Sequence, residues 1–77
     1  MSINVGDRVR VHWGKGWRDD LKALGPIKGI VRHVVDRHGV TMIVVRLDQL
    51  FNERGQPSAE GRETSWSFEP EEIEVIP

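Results

Sequence analysis

The chain contains no cysteine, so it has neither disulfides nor thiolate metal ligands. Its length of 77 residues corresponds to one domain that spans residues 1–77. A chain this short buries only about 60% of the surface that it exposes when unfolded. Because disulfides are absent, we expect close packing or association with another subunit to supply stability.

Long apolar segments are also lacking. No stretch approaches the roughly 20 consecutive apolar residues that a membrane-spanning helix needs. Residues 1–7 do not combine a basic segment with an apolar run, as a secretory signal would. The sequence therefore predicts a protein that does not insert into membranes and that resides in the cytoplasm.

Neither sign of charge is in large excess, because the net charge is −1. The distribution is uneven. Residues 1–48 hold nine lysines and arginines against five aspartates, a net charge of +4, whereas residues 49–77 hold two arginines against seven glutamates, a net charge of −5. This asymmetry favours a basic surface that meets an acidic partner. The alternative is an ordinary mixed surface, since folding brings the two regions together.

The apolar residues that are present follow the two-residue period of β-strands in several segments. In residues 7–13 the two valines and the tryptophan share one face, which predicts a half-buried strand. Residues 27–36 break this alternation, and the break indicates either a strand covered on both faces or a β-bulge. A tight turn with Gly39 at positive φ is predicted to connect this strand to a third over residues 40–48.

Two further strands and two long connections complete the pattern. Residues 63–68 alternate again, and residues 73–76 follow a turn at 69–72 that suits one turn of 3₁₀ helix. The connections are residues 14–26, with a short helical turn, and the polar residues 49–63. Five short strands predict an all-β fold. We expect a small closed barrel, because an open layer would leave two edges exposed.

The order of these elements resembles the SH3-like barrel superfamily. Three segments carry the resemblance: residues 5–11 (VGDRVRV) at the first strand, residues 28–31 (KGIV) at the entry to the second, and residues 68–76 (FEPEEIEVI) at the end. The resemblance implies a five-stranded SH3-like barrel with a long first loop and a 3₁₀ turn before the last strand.

Within this superfamily the chain is most similar to the electron-transport accessory proteins, which include the small accessory subunit of the photosystem I reaction centre, the variable chain of ferredoxin–thioredoxin reductase and the β-subunit barrel of nitrile hydratase. Residues 43–48 (IVVRLD), the polar loop after them and the ending carry this likeness. It implies a non-catalytic accessory or adaptor subunit that braces a larger partner, and we expect no cofactor. Some members dock acidic ferredoxin-like proteins through basic residues, and the comparable basic region here contains Arg8, Arg10, Arg32 and Arg46.

The candidate contact residues lie in and beside the first long loop. Tryptophan is enriched at binding hot spots, and Trp17 stands between a glycine and an arginine in this loop. The predicted partner-binding set consists of Trp17, Arg18, Lys15, Arg8, Arg10 and Arg32. A lid over the open end of the barrel is the alternative role of Trp17. Trp13 and Trp66 are expected in the core.

Other functional classes stay open at this point. The loop around Lys15 and residues 28–31 resemble parts of KOW domains, so an RNA- or DNA-binding module is the main alternative. Residues 6–10 resemble the first strand of type II dihydrofolate reductase, but the Val-Gln-Ile-Tyr segment of that enzyme's pore is absent. No catalytic constellation is visible in the sequence. Solvated side chains rather than metal ligands are the favoured interpretation of His12, His33 and His38.

Overall fold

The computed structural model describes residues 2–77. Along the chain it shows β1 (Arg8–Val11), α1 (Asp19–Lys22), β2 (Ile27–Arg37), β3 (Val40–Phe51), β4 (Arg62–Phe68), a 3₁₀ turn (Pro70–Glu72) and β5 (Ile73–Val75). The predicted all-β class, the helical turn in the first loop and the 3₁₀ turn before the last strand are confirmed. No helix within these residues is long and apolar enough to cross a membrane.

All five strands form one antiparallel sheet in the order β4-β3-β2-β1-β5. The first and last strands pair, with Val9 opposite Val75 and Val11 opposite Ile73. The order is compatible with an SH3-like barrel, but the predicted closure is wrong. Within residues 2–77 no ladder joins β4 to β5, so both remain edge strands. β5 has only three residues, all paired with β1, and no further strand spans the gap in this part of the chain.

Aromatic side chains pack where the strands leave the sheet open. The segment between β1 and β2 contacts β4, and Trp17 stacks on Phe68 with ring centroids 4.9 Å apart. Trp13 makes an edge contact with Trp66 of β4 at 6.1 Å. Ring contacts of these geometries stabilise a fold beyond the area that they bury. An aromatic cluster therefore joins the first loop to β4 without a backbone ladder.

β2 and β3 form the long hairpin that the sequence predicts. His38 and Gly39 connect them with positive φ values of 53° and 76°, the conformation of a two-residue type I′ turn. The register shifts just after Val31, which confirms a β-bulge in β2. Gly29 is needed for a close approach of two backbones, because a Cβ there would lie 2.5 Å from the carbonyl oxygen of Arg46.

The core lies on one face of the sheet. Among residues 2–77, nine apolar side chains are buried: Val9, Val11, Leu21, Val31, Ile43, Val45, Leu47, Phe51 and Phe68. Buried residues alternate with half-exposed ones along β1 and much of β3, as the two-residue period requires. All three tryptophans pack against this core as partly buried rings, as expected for Trp13 and Trp66.

The long hairpin reaches beyond the rest of the sheet. β1 and the residues before it bond to β2 only as far as Val31, and β4 pairs with β3 only from Ile43 onward. Residues 32–42 therefore form a two-stranded ribbon, which we call the distal ribbon. Residues 32–40 are all exposed, so both faces of the ribbon tip meet solvent.

Candidate functional site

Trp17, the leading candidate contact residue, is held by a carboxylate. Its indole Nε1 donates a hydrogen bond of 2.8 Å to Glu72 Oε2, and the same oxygen accepts a bond of 2.8 Å from the backbone N–H of Gly14. Glu72 Oε1 accepts a third bond, of 2.9 Å, from the backbone N–H of Glu69. The 3₁₀ turn thus fixes the loop that carries Trp17, and only part of the ring is exposed.

Arg18 links the two long connections of the chain. Its guanidinium lies 3.1 Å from an Asp20 carboxylate oxygen and donates bonds of 3.1 and 2.7 Å to the carbonyl oxygens of Arg54 and Gly55. These two carbonyls belong to the loop between β3 and β4. Because the fork-shaped guanidinium satisfies its donors within the chain, Arg18 ties the two loops together.

Arg8 and Arg10 extend from β1 toward acidic residues of other strands. Arg8 makes a two-pronged pair with Asp48 at 2.8 and 3.1 Å, and Arg10 lies 3.2 Å from Glu74. The hydrogen bond from Arg8, aided by its charge, lowers the pKa of Asp48. Hydrogen bonds from His12 and then Arg10 lower the pKa of Glu74. The fold therefore partly neutralises both arginines.

The side of β2 and β3 that faces away from the core carries an exposed aliphatic stripe, and we call this side the outer face. Opposite residues of an antiparallel pair share a face, so the buried Val31–Val45 pair identifies the opposite side. The outer face comprises Lys28, Ile30, His33, Val35, Arg37, Val40, Met42, Val44 and Arg46. Val35 and Val40 are 44% and 58% exposed, so the stripe continues along the distal ribbon.

Basic side chains border this stripe. Lys28, Arg32 and Arg37 follow one another along β2, and none of them forms an ion pair within residues 2–77. The acids at this side are each next to a cation: Asp48 beside Arg8, Glu74 beside Arg10, and Glu63 at 3.9 Å from Arg46. The outer face thus combines aliphatic surface with surplus positive charge.

A second, concave surface lies between residues 12–17 and the 3₁₀ turn, and we call it the loop–turn groove. It has a volume of about 640 Å³. Trp13 and Trp17 line it together with three glutamates of the 69–72 segment. Lys15 lines it as well, so two of the predicted contact residues meet in this groove. The predicted set is therefore divided, because Arg32 lies on β2 with Arg8 and Arg10 on the adjacent strand, and Arg18 contacts the other loop.

The acidic lining of the groove is a feature that sequence reasoning missed. Glu72 and Trp17 are 55 positions apart, so no local pattern indicates that one accepts the N–H of the other. One signal was present, because Glu69, Glu71 and Glu72 place three carboxylates within four residues. Carboxylates this close repel one another, so hydrogen-bond donors or cations are expected beside them.

The histidines are dispersed. His33 and His38 are exposed in the distal ribbon and its turn, whereas His12 Nε2 lies 3.0 Å from Glu74 Oε1. No group of three or more metal-ligating side chains occurs within residues 2–77. Nothing in this part of the chain indicates catalysis, and the two surfaces described above are the features that bear on function.

Comparison of the chain with protein-family models, curated proteins and solved structures gave no match. The outer face and the loop–turn groove are therefore the features whose chemistry bears on what the chain binds.

Proposed function

We propose that this chain is a non-catalytic docking subunit of the SH3-like barrel type, and that its outer face binds an acidic protein surface. One observation carries the proposal: an exposed aliphatic stripe is bordered by three lysines and arginines that have no ion pair within residues 2–77. Protein interfaces combine such an apolar centre with a polar rim. The cations select and orient an acidic partner.

The stripe is large enough to matter energetically. Full burial of an aliphatic side chain is worth roughly 1.5–3 kcal/mol. Val35 and Val40 are 44% and 58% exposed and Met42 is half-buried, so covering all three would supply about half of that value per side chain, roughly 2–4 kcal/mol of the roughly 8 kcal/mol that a micromolar contact requires. The basic residues add less to affinity than to the rate of encounter, because opposite charges steer diffusion.

Within this proposal the predicted contact residues have unequal roles. Arg32 contacts the partner directly, because it is exposed at the bulge of β2, next in the chain to His33 of the outer face, and has no ion pair within residues 2–77. Arg8 and Arg10 contribute less, since their charge is shared with Asp48 and Glu74. Trp17 and Arg18 act as scaffold residues that hold the first loop.

A nucleic-acid interface is the competing function for a basic surface. Proteins that bind single strands stack bases on several aromatic side chains, whereas the outer face offers aliphatic side chains and a single ring, the imidazole of His33, among the described residues. The net charge of −1 also gives no overall attraction to phosphate. Both observations favour a protein partner.

The test reverses charge on the outer face. The domain is immobilised and exposed to lysate of the source organism, and retained proteins are identified by mass spectrometry. The double variant Arg32→Glu/Arg37→Glu should lose an acidic protein that the original chain retains. The matched control, Arg54→Glu/Arg62→Glu, makes the same charge change in and beside the β3–β4 loop and should keep it.

Salt and nuclease distinguish the competing functions. Retention of an acidic protein should weaken as ionic strength rises, and it should survive nuclease treatment. Equal retention by both double variants would contradict the proposal. A bound fraction that nuclease removes, with a steep dependence of affinity on salt, would support the nucleic-acid function instead.

A further inference from the structure

The loop–turn groove presents ring surface rather than polar groups on its aromatic side. The indole N–H of Trp13 donates to the carbonyl oxygen of Gly25 at 2.8 Å, and that of Trp17 donates to Glu72 at 2.8 Å. Both donors are thus used inside the fold. The partly exposed remainder of each ring offers an apolar surface with a negative π-face, on which alkyl chains and cations both lie favourably.

The charged lining of the groove is predominantly acidic. Glu69 and Glu71 have no ion pair within residues 2–77, and Lys15 is the one lysine or arginine among the residues that line the groove there. The interaction with Glu71, by hydrogen bond and by charge, raises the pKa of Glu69, and burial and Glu72 add to this. A cation between these carboxylates would relieve their repulsion.

We propose that the loop–turn groove receives a lysine or arginine side chain from an extended segment of a protein partner. Its alkyl stem would lie along Trp13 and Trp17, and its charged end would meet Glu69 and Glu71. Long basic side chains combine an apolar stem with a charged end in this way. The loop–turn groove is mainly acidic, whereas the outer face is basic. The domain would therefore join an acidic partner to a basic segment.

Other occupants match the groove less well. An anionic ligand would be repelled by the glutamates. A purely apolar ligand would exclude water from the carboxylates without supplying hydrogen bonds in its place. A basic side chain can pack its alkyl stem against the rings and pair its charged end with the carboxylates. This inference does not depend on the proposed function of the outer face, since it is carried by Trp13, Trp17, Glu69 and Glu71, although Met42 borders both surfaces.

The experiment uses ¹⁵N-labelled protein and a defined probe. The probe is a capped heptapeptide of alanine and serine with one central arginine, and the control peptide carries glutamine there. The arginine peptide should shift the Gly14, Gly16 and Trp17 indole N–H signals with a dissociation constant on the order of 1 mM. The glutamine peptide should shift them far less.

Variants of the groove sharpen the result. Glu69→Gln/Glu71→Gln should weaken binding of the arginine peptide about fivefold, the upper range for exposed ion pairs. Lys15→Gln should strengthen binding about twofold, because it removes the competing cation. The matched control Glu53→Gln/Glu60→Gln, outside the groove, should bind as the original chain does. Preserved spectra of each variant confirm that it is folded.

Several outcomes would overturn the inference. Equal shifts by the arginine and glutamine peptides would remove the role of charge. Unchanged affinity in the folded Glu69→Gln/Glu71→Gln variant would do the same, and shifts confined to the outer face would place the contact elsewhere. Signals of the groove that change on dilution without peptide would assign it to a second copy of this chain. Failure of the outer-face proposal would leave each of these measurements unaffected.

Discussion

The two halves of the long hairpin consist of the same two strands but differ in how far their valines are buried. Where β1 and β4 flank it, Val31 and Val45 are buried in the core. In the distal ribbon no strand flanks it within residues 2–77, and Val34, which lies on the same face of the hairpin as Val31 and Val45, stays 38% exposed. The neighbouring strands, rather than the residue type, therefore decide whether a valine stabilises the fold or remains available for binding.

The largest expected effect tests this difference directly. Phe68→Ala removes a fully buried ring from the flanked half of the sheet, and such substitutions cost about 3–5 kcal/mol of unfolding free energy. Val40→Ala in the distal ribbon should change it by no more than about 0.5 kcal/mol. Urea denaturation followed by circular dichroism measures both. Similar losses in the two variants would mean that the ribbon is as much a part of the core as the sheet beneath it.

A smaller effect concerns the point where the flanked strands come closest. Gly29→Ala would place a Cβ 2.5 Å from a backbone oxygen and 2.6 Å from Val45 Cγ1, and overpacking of this kind costs about 1–3 kcal/mol. Gly16→Ala serves as the matched control, because a Cβ there meets nothing within 4 Å. If the free energy of unfolding fell equally in both variants, the close approach at Gly29 would not be what requires glycine.

Much of this fold was predictable because its signals are local. Alternation marks the strands, and the turn at Gly39 and the acid-rich turn at 69–72 lie within a few residues of the elements that they join. Closure was not predictable in the same way. Whether β4 meets β5 depends on contacts between distant parts of the chain, such as those of Trp17 with Phe68 and Glu72, and sequence patterns do not encode them.

The candidate site was harder to predict for a related reason. The residue types that favour binding, tryptophan and arginine, are also those that tie distant loops together, as Trp17 does with Glu72 and Arg18 does with Gly55. Arg32 differs because it has no ion pair within residues 2–77. A residue that binds a partner is distinguished from one that ties loops together by its exposure and by its hydrogen bonds and ion pairs within the chain. Both are properties of the folded chain.

The link between the first loop and the 3₁₀ turn gives a third test. Glu72→Gln replaces one of two carboxylate oxygens with a donor, so it should lose at least one of three accepted bonds and about 1–2 kcal/mol. Glu71→Gln, one residue earlier and without such bonds, should stay within about 0.5 kcal/mol. Urea denaturation measures the loss, and the Trp17 indole signal reports its location. If both the stability and the indole signal were unchanged in Glu72→Gln, the carboxylate would not be what holds the loop.

The smallest expected effect concerns the ion pair between Arg8 of β1 and Asp48 of β3. Arg8 lowers the pKa of Asp48 below its ordinary value of 3.8, so the folded chain favours the ionised carboxylate. The stability from this pair is fully present above the pKa that Asp48 has in the unfolded chain. It is lost as the pH falls through the lower pKa that Asp48 has in the folded chain. Because the two side chains are 40% and 47% exposed, solvent screening keeps this contribution small.

Asp48→Asn should therefore be slightly less stable than the original chain at pH 7, and the difference should shrink as the pH falls through the lowered pKa of Asp48 in the folded chain. Urea denaturation at a series of pH values measures this convergence. Asp19→Asn is the matched control, because the Asp19 side chain is fully exposed and 3.9 Å from its lysine partner. A difference for Asp48→Asn that did not shrink with falling pH would assign its effect to shape rather than charge. The flanked half would then owe its stability to packing, with no measurable contribution from the ion pair at its surface.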